Sequence, residues 1–466
     1  MKMNIKFASS AMLKNNNQNH MLIELEPPVH KTKEERPNAW VFVVDKSSSM
    51  NTPINYNCFK SNYNYITCSS NTLTDYNAMF SETSTSKMEL AKSSILHCLH
   101  QLNVKDKVGV VTFNSNAEII EELVSLEKHK ETLISKVYGM TASGCTNIDA
   151  GINLAKTLFS KKDLEEYNCK ILIFSDGETN EGNTSTEALS KMTLDFLTQG
   201  ITTSCLGFGQ EYNSYLLNKM ATSGGGYLYH IETLAKIEEV LKEELSLSNS
   251  ILAKAVKVFV KLPKFVEIEN NLNNYAEKLT DEEKEIFIGD ITGKKKIVIG
   301  IKNTFCTEAF KLIVKCEYKT LNGEKCSIES EKIMPITEIS DECKKDMEVI
   351  DYVMSLIKNN TMAESLLYAE KRDTVSINQS FFRSVNAVNN LSSNYDLDSS
   401  YTSCVLDGLS NSNSACTTFA CSASTSDIKA KYSTVANESR TKWHIKNTSY
   451  WCVFLFFCWF FVYFMV

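Results

Sequence analysis

The chain has 466 residues, more than one compact core usually holds, and this length predicts about three domains. Its apolar fraction of 43% and charged fraction of 23% are close to those of folded proteins, which excludes a wholly disordered chain. A net charge of −7 without a basic block argues against a nucleic-acid partner, because such binding depends largely on neutralising phosphates. We therefore expect a folded, multi-domain protein that acts on other proteins.

The start of the chain and its cysteines suggest a cytoplasmic protein. Residues 1–19 contain KNNNQN and no apolar run long enough for a secretory signal, so we expect them to be disordered. The 15 cysteines form no C-x-x-C pair, and the 7 histidines do not cluster with them at zinc-binding spacing. We expect reduced thiols, several of them buried as small apolar side chains.

Residues 20–247 predict one strand followed by an α/β domain. Residues 20–37 open with HMLIELEPP, whose alternation predicts a strand that pairs with a later β domain. Residues 38–247 alternate apolar strand-like runs with helical periods, which predicts a doubly wound, mostly parallel sheet with right-handed crossovers. The strand-like runs are WVFVV (40–44), KVGVVTF (107–113), KILIF (170–174) and ITTSCLGF (201–208). The polar residues 51–86 are predicted to be a loop insert.

The remaining chain changes its periodicity twice. Residues 250–338 contain six short alternating runs separated by polar turns, which predicts an antiparallel, sandwich-like β domain. Residues 341–392 return to helical spacing. Residues 393–449 are rich in Ser, Asn and Thr, as in SNSNSACTTFACSASTS, and are predicted to be a flexible, low-complexity linker.

The chain ends in a hydrophobic tail, residues 450–466, in which every residue is apolar or aromatic. As a helix this tail would be ~25 Å long, the short limit for crossing a ~30 Å hydrocarbon layer. Lys442 and Lys446 would hold the preceding flank on the cytoplasmic side. One interpretation is a tail anchor in a membrane; the alternative is a terminal extension or buried hydrophobic tail, because aromatic residues usually concentrate at membrane interfaces.

Hard oxygen donors follow two of the predicted strands and precede one helix. Asp45-Lys46-Ser47-Ser48-Ser49 follows WVFVV, Asp176 follows KILIF, and Thr146 opens a helix. The carboxyl ends of parallel strands share one edge of a sheet, so these side chains are expected to converge there. Carboxylates and hydroxyls without Cys or His suit Mg²⁺, Mn²⁺ or Ca²⁺. The alternative is that the serines cap a helix and Asp176 lies in a tight turn.

The D-x-S-x-S turn with the later Thr and S-D-G resembles the metal-ion-dependent adhesion site of von Willebrand factor type A domains, over about residues 38–247. The resemblance implies that Ser47, Ser49 and Thr146 bind the cation through their hydroxyls, and that Asp45 and Asp176 act largely through coordinated water. The order of segments is similar to intracellular members with a following β domain and helices. No RING-type cysteine pattern is present, so ubiquitin-ligase activity does not transfer.

Three positions near the motif depart from the family pattern. Ser48 and Cys145 stand where the family most often has glycine, and Lys46 stands where a small or apolar residue is common. Cys145 adds bulk directly before Thr146, and Lys46 could compete with the cation. None of the three substitutions removes a ligand implied by the resemblance.

The function that these residues predict is an adaptor that captures an Asp or Glu of a protein partner through the bound cation. We find no His or Lys placed beside these motifs to act as a base, so we do not expect an enzyme. The main alternative is a non-catalytic, substrate-recruiting subunit of a larger enzyme complex, such as a ubiquitin ligase. A metal-dependent hydrolase is the third.

Overall fold

The structure is a computed structural model of the chain. It describes residues 1–14, 18–28, 36–53, 86–176, 179–280, 283–304, 307–339, 342–438 and 440. These residues form an α/β unit, a β sandwich and a set of long C-terminal helices that pack on one another.

The α/β unit is built on a six-stranded sheet with the strand order β6-β5-β4-β7-β8-β9. All neighbouring strands run parallel except β5 and the edge strand β6, which are antiparallel. The strands are β4 (Asn38–Asp45), β5 (Lys107–Phe113), β6 (Ala117–Ser125), β7 (Asn168–Ser175), β8 (Ile201–Phe208) and β9 (Gly225–Ile231). The doubly wound, mostly parallel sheet expected from the sequence is therefore confirmed.

Helices cover both faces of this sheet. Val41 and Val43 of β4 pack with Ile152 on one face, whereas Trp40 and Phe42 pack with the opposite helices. Successive strand side chains point to opposite faces, which explains why the central strands are apolar throughout. The helices are α1 (Lys87–Gln101), α2 (Leu126–Tyr138), α3 (Ile148–Thr157), α4 (Lys161–Glu166), α5 (Thr186–Gln199), α6 (Ser214–Ser223) and α7 (Leu234–Asn249).

Two antiparallel sheets form the β sandwich, with orders β1-β3-β14-β11 and β12-β13-β10-β15-β16. Their inner faces share one apolar core. The strands are β1 (Lys2–Phe7), β3 (Gln18–Glu26), β10 (Ala253–Lys261), β11 (Val266–Asn271), β12 (Ala276–Leu279), β13 (Glu283–Ile291), β14 (Lys295–Asn303), β15 (Phe310–Lys319) and β16 (Lys325–Met334). Strand β3 thus joins the N-terminal region to β14 of the later β region. A separate short pair joins β2 (Met12–Leu13) to β17 (Ile336–Thr337).

The expectation that residues 1–19 are disordered is wrong for most of that segment. Strand β1 pairs along its length with β3, and β2 pairs with β17. Ile5 and Met12 are buried in the sandwich core, and Met1, Met3 and Phe7 pack against it, so main-chain hydrogen bonds and apolar burial together order this segment. Residues 15–17, within KNNNQN, lie outside the described residues.

The expectation that residues 393–449 form a flexible linker is also wrong for the part that the structure describes. Helices α10 (Ser399–Ser422) and α11 (Thr425–Glu438) follow α8 (Met347–Glu370) and α9 (Thr374–Asn394). Helix α10 packs on α8 and α9 and buries Leu409, Cys416 and Ala420. Tertiary packing of these few apolar residues overrides the Ser- and Asn-rich composition.

Two predictions concern residues outside this description. The 51–86 insert is described only at residues 51–53 and 86, and the tail at 450–466 is not described. Across the described ranges, no helix is both long enough and apolar enough to cross a membrane. The interpretation of the tail as a membrane anchor stays a prediction, because the tail lies outside the described residues.

Candidate functional site

Strands β4 and β7 bring the two predicted carboxylates to the same edge of the sheet. The strands are parallel neighbours with Val44 opposite Phe174, so Asp45 ends one strand and Asp176 directly follows the other. Both carboxylates are fully buried from solvent. The topology alone places them together, as the carboxyl-end rule for parallel sheets requires.

Asp45 is held by hydrogen bonds on both of its carboxylate oxygens. Its Oδ1 accepts from the backbone N–H of Ser47 at 2.8 Å, and its Oδ2 accepts from the hydroxyl of Ser175 at 3.0 Å. Burial raises the pKa of Asp45 to about 6; the hydrogen bonds from Ser47 oppose this rise and the charge of Asp176 adds to it. The fixed carboxylate shapes the turn that carries the serines.

The two motif hydroxyls form a chain that ends on the second carboxylate. A short 3-10 helix, Ser48–Asn51, follows the turn. The Oγ atoms of Ser47 and Ser49 are 2.9 Å apart, and the Ser49 hydroxyl donates to Oδ1 of Asp176 at 2.8 Å. Ser47 is buried, whereas Ser48 between them is exposed. The alternating positions of a D-x-S-x-S turn thus place both hydroxyls on the side of Asp176.

Thr146 lies in a loop that packs directly on this turn. The backbone N–H of Ser48 donates to the carbonyl of Gly144 at 2.9 Å, and that of Ser143 donates to the carbonyl of Lys46 at 2.6 Å. The side chain of Thr146 is buried, at 4% exposure. The structure therefore brings the segments bearing all five predicted residues, Asp45, Ser47, Ser49, Thr146 and Asp176, to one edge of the sheet.

Asn180 fixes the position of Thr146, a role that the sequence analysis did not identify. Its side-chain Oδ1 accepts from the N–H of Thr146 at 2.9 Å, and its own N–H donates to the carbonyl of Thr146 at 2.9 Å. The hydroxyl of Thr179 donates to the same carbonyl at 3.1 Å. A polar residue four positions after Asp176 was the available signal, and it is weak because loop asparagines are common.

Lys87 is the second residue that the sequence analysis missed. Its Nζ donates to Oδ2 of Asp176 at 2.7 Å and to Oε2 of Glu211 at 3.1 Å. The expectation that no Lys lies beside the motifs is wrong in three dimensions, because the start of α1 approaches the site from a distant part of the sequence. Burial lowers the pKa of Lys87, but the hydrogen bond and charge of Asp176 outweigh it and hold that pKa above its ordinary value. The amine is therefore an ammonium ion at neutral pH.

The three departures from the family pattern remain at the rim of the site. The ammonium of Lys46 forms an ion pair with Glu118 at 2.8 Å, which gives it a partner outside the hydroxyl chain. Cys145 and Ser48 are exposed. The side chains of Lys46, Cys145 and Ser48 form none of the contacts that link Ser47, Ser49 and Asp176.

The donor set suits a hard divalent cation. Two carboxylates and three hydroxyl-bearing residues supply only oxygen, and hydrogen bonds already link one oxygen each of Ser47, Ser49 and Asp176. Lys87 contacts the oxygen of Asp176 that Ser49 does not use. The residues present therefore fit a Mg²⁺, Mn²⁺ or Ca²⁺ ion by donor type.

This combination of a doubly wound sheet and a D-x-S-x-S site at its edge defines the class of the α/β unit. The sequence profile described as the von Willebrand factor type A domain matches residues 80–243, a stretch that contains Thr146 and Asp176 and begins after the Asp45–Ser49 turn. The chain thus contains a von Willebrand factor type A domain, as its resemblance predicted.

Similar proteins extend this assignment to the overall fold. The chain is 26% identical over 266 residues to the uncharacterized protein YfbK of Escherichia coli K12, a match that covers 56% of this chain and 43% of the relative. It is similar in structure to a von Willebrand factor type A protein from Catenulispora acidiphila, with a TM-score of 0.62, 15% identity and coverage of 83% and 86% of the two chains. The ArnB paralog VWA2 from Sulfolobus acidocaldarius gives a TM-score of 0.55 at 13% identity, with 94% and 97% covered. The chain spans less than half the length of YfbK, and at these identities the two structures show the fold alone.

Proposed function

We propose that this protein is a divalent-cation-dependent adaptor that captures an Asp or Glu of a protein partner. The cation would be held by Asp45, Ser47, Ser49, Thr146 and Asp176, with Mg²⁺, Mn²⁺ and Ca²⁺ as the candidates. The observation that carries the proposal is the hydrogen-bonded chain from Ser47 through Ser49 to Asp176, which lies beside the buried carboxylate of Asp45.

The charge of the site supports a protein-binding role. Hydroxyls are neutral ligands, and the ammonium of Lys87 already offsets part of the negative charge of Asp176. A bound divalent cation would therefore retain net positive charge, which a carboxylate from another protein can neutralise through a charge-assisted contact. A bound cation would supply that electrostatic anchor.

We also propose that the site binds its protein partner without catalysing a reaction. Among the described residues, the groups in contact with the motif are hydroxyls, carboxylates, amides and the ammonium of Lys87, which is protonated and cannot accept a proton. A nucleophile needs a neighbouring base within hydrogen-bonding distance. The carboxylates of Asp45 and Asp176 instead accept hydrogen bonds on both oxygens.

A capture experiment with a matched pair of serine variants tests the proposal. The full chain would be incubated with an immobilised library of short peptides containing Asp or Glu, in Mg²⁺ or in EDTA. We expect retention in Mg²⁺ only, and loss of retention in Ser47→Ala because one hydroxyl ligand is removed. Ser48→Ala is the control, because it removes an exposed hydroxyl from the same turn.

The two variants also separate the proposal from a general surface effect. Equal retention in Mg²⁺ and EDTA would show that the cation is not the anchor. Equal loss of retention in Ser47→Ala and Ser48→Ala would show that the turn, rather than the buried hydroxyl, determines binding.

A further inference from the structure

Lys87 occupies a position that local rules disfavour. It is the first residue of α1, where the partial positive charge of the helix N-terminus opposes a cation. Its side chain is only 5% exposed. A buried lysine at a helix start therefore needs a compensating contact, and the carboxylate of Asp176 at 2.7 Å supplies it.

The path of the Lys87 side chain is shaped by the loop after β8. Gly209 has a φ of +72°, and a Cβ atom there would lie 3.0 Å from Cε of Lys87. Glu211, two residues further, contacts the ammonium at 3.1 Å and is 68% exposed. The same loop thus accommodates the lysine stem and offers a second, solvated acceptor for its charge.

This loop is also held by the C-terminal helix α11. Lys429 donates to the carbonyl of Tyr212, and the Tyr212 hydroxyl is 3.0 Å from Nδ1 of His230. Nε2 of His230 lies 2.7 Å from the hydroxyl of Ser426. Glu211 therefore projects from a loop whose next residue is anchored in the protein interior.

The contacts divide the two oxygens of Asp176 between the hydroxyl chain and the ammonium. Ser49 donates to Oδ1, and Lys87 donates to Oδ2. A divalent cation among the hydroxyls would stand near the positive charge of Lys87, and the two would share one carboxylate. Like charges repel strongly in a site that excludes water.

We infer that Lys87 is a built-in competitor of the metal ion at this site. Its ammonium weakens the binding of a divalent cation to Asp176, and Glu211 is the acceptor toward which the ammonium moves when the cation binds. The inference rests on the proposed function, because the cation is the same. It adds a residue that sets the cation affinity and that lies outside the proposed ligand set.

Calorimetric titration of MgCl₂ and MnCl₂ into the full chain tests this inference with two matched pairs of variants. Lys87→Met is compared with Lys46→Met, because Lys46 is also a lysine at the site but its ammonium contacts Glu118. Glu211→Gln is compared with Glu118→Gln, since both are exposed glutamates that pair with one of these lysines. Each control removes the same charge near the site without touching Asp176.

We expect Lys87→Met to bind the cations at least about tenfold more tightly than the unmodified chain, because a like charge is removed from contact range. Lys46→Met should change the affinity less than Lys87→Met does. Glu211→Gln should bind more weakly than Glu118→Gln, because Lys87 then has only Asp176 as a carboxylate partner. If Lys87→Met is unfolded without metal, the glutamate pair decides the question on its own.

The outcomes separate this inference from the proposed function. Cation uptake that is equal in the unmodified chain and Lys87→Met would overturn the role of Lys87 and leave the adaptor proposal standing. Uptake by Lys87→Met alone would support the inference and contradict cation-dependent capture by the natural chain. No uptake by either protein would overturn both.

Discussion

Asn180→Ala tests whether the cation site depends on the loop that carries Thr146. The side chain of Asn180 accepts a hydrogen bond from the N–H of Thr146 at 2.9 Å, and the variant leaves that donor without its partner. A lost hydrogen bond of a partly buried donor costs about 1–2 kcal/mol. The backbone N–H groups of Asn180 and Glu181 still donate to the carbonyl of Thr146, so the loop should loosen rather than unfold.

If the cation-bound state requires Thr146 to be ordered, the same cost reduces the binding free energy. The affinity for Mn²⁺ should then drop by about 5- to 30-fold, at 1.4 kcal/mol for each factor of ten. The assay is calorimetric titration of MnCl₂, accompanied by thermal unfolding in EDTA. Asn183→Ala is the matched control, because Asn183 lies in the same loop but its side chain accepts from Ser185. Equal affinities in Asn180→Ala and the unmodified chain would refute the role assigned to Thr146, as would an equal loss in Asn183→Ala.

Two further predictions concern stability. Burial lowers the pKa of His20 to about 4, so on acidification the unfolded chain takes up the proton first. Relative to His20→Gln, the unmodified chain should therefore lose about 3 kcal/mol of stability between pH 6.5 and 4, and this difference should level off below pH 4. Urea unfolding of both proteins at several pH values measures it, because the opposite contribution of Asp45, whose pKa is raised, is common to both. Lys429→Met should cost about 3 kcal/mol, because it leaves the carboxylate of Glu370, 2.7 Å from Nζ, without its buried partner. A loss below about 1 kcal/mol in urea unfolding would contradict that role for Lys429.

The sequence predicts the site where its oxygen donors directly follow predicted parallel strands. The continuous apolar runs at 40–44 and 170–174 predict two buried strands, and parallel pairing then requires Asp45 and Asp176 to share an edge. The alternation of Asp45, Ser47 and Ser49 predicts that their side chains face the same side. The geometry of the turn follows from these local features.

Other parts of the fold depend on contacts between distant segments. Edge strand β6, AEIIEELVS, carries three glutamates and lacks the regular alternation of apolar and polar residues that predicts a strand. It nevertheless pairs antiparallel with β5. Helices α10 and α11 have a polar composition, and their order comes from burying a few apolar side chains against neighbouring helices. The average polarity of a segment does not reveal whether its few apolar residues are buried against neighbouring helices.

The position of Lys87 at the site also depends on a contact between segments that are distant in the sequence. In sequence it begins an amphipathic helix after a long polar insert, and only the approach of α1 to the ends of β7 and β8 places it on Asp176. Its conflict with the helix dipole was the one local signal. A charged residue that violates a local rule often marks a functional contact.

Anomalous diffraction from a Mn²⁺-soaked crystal of the full chain tests the central claim most directly. The account predicts one strong peak bounded by the oxygens of Ser47, Ser49 and Thr146, with Asp45 and Asp176 beside it. A peak elsewhere on the molecule, or none at this edge of the sheet, would contradict the account.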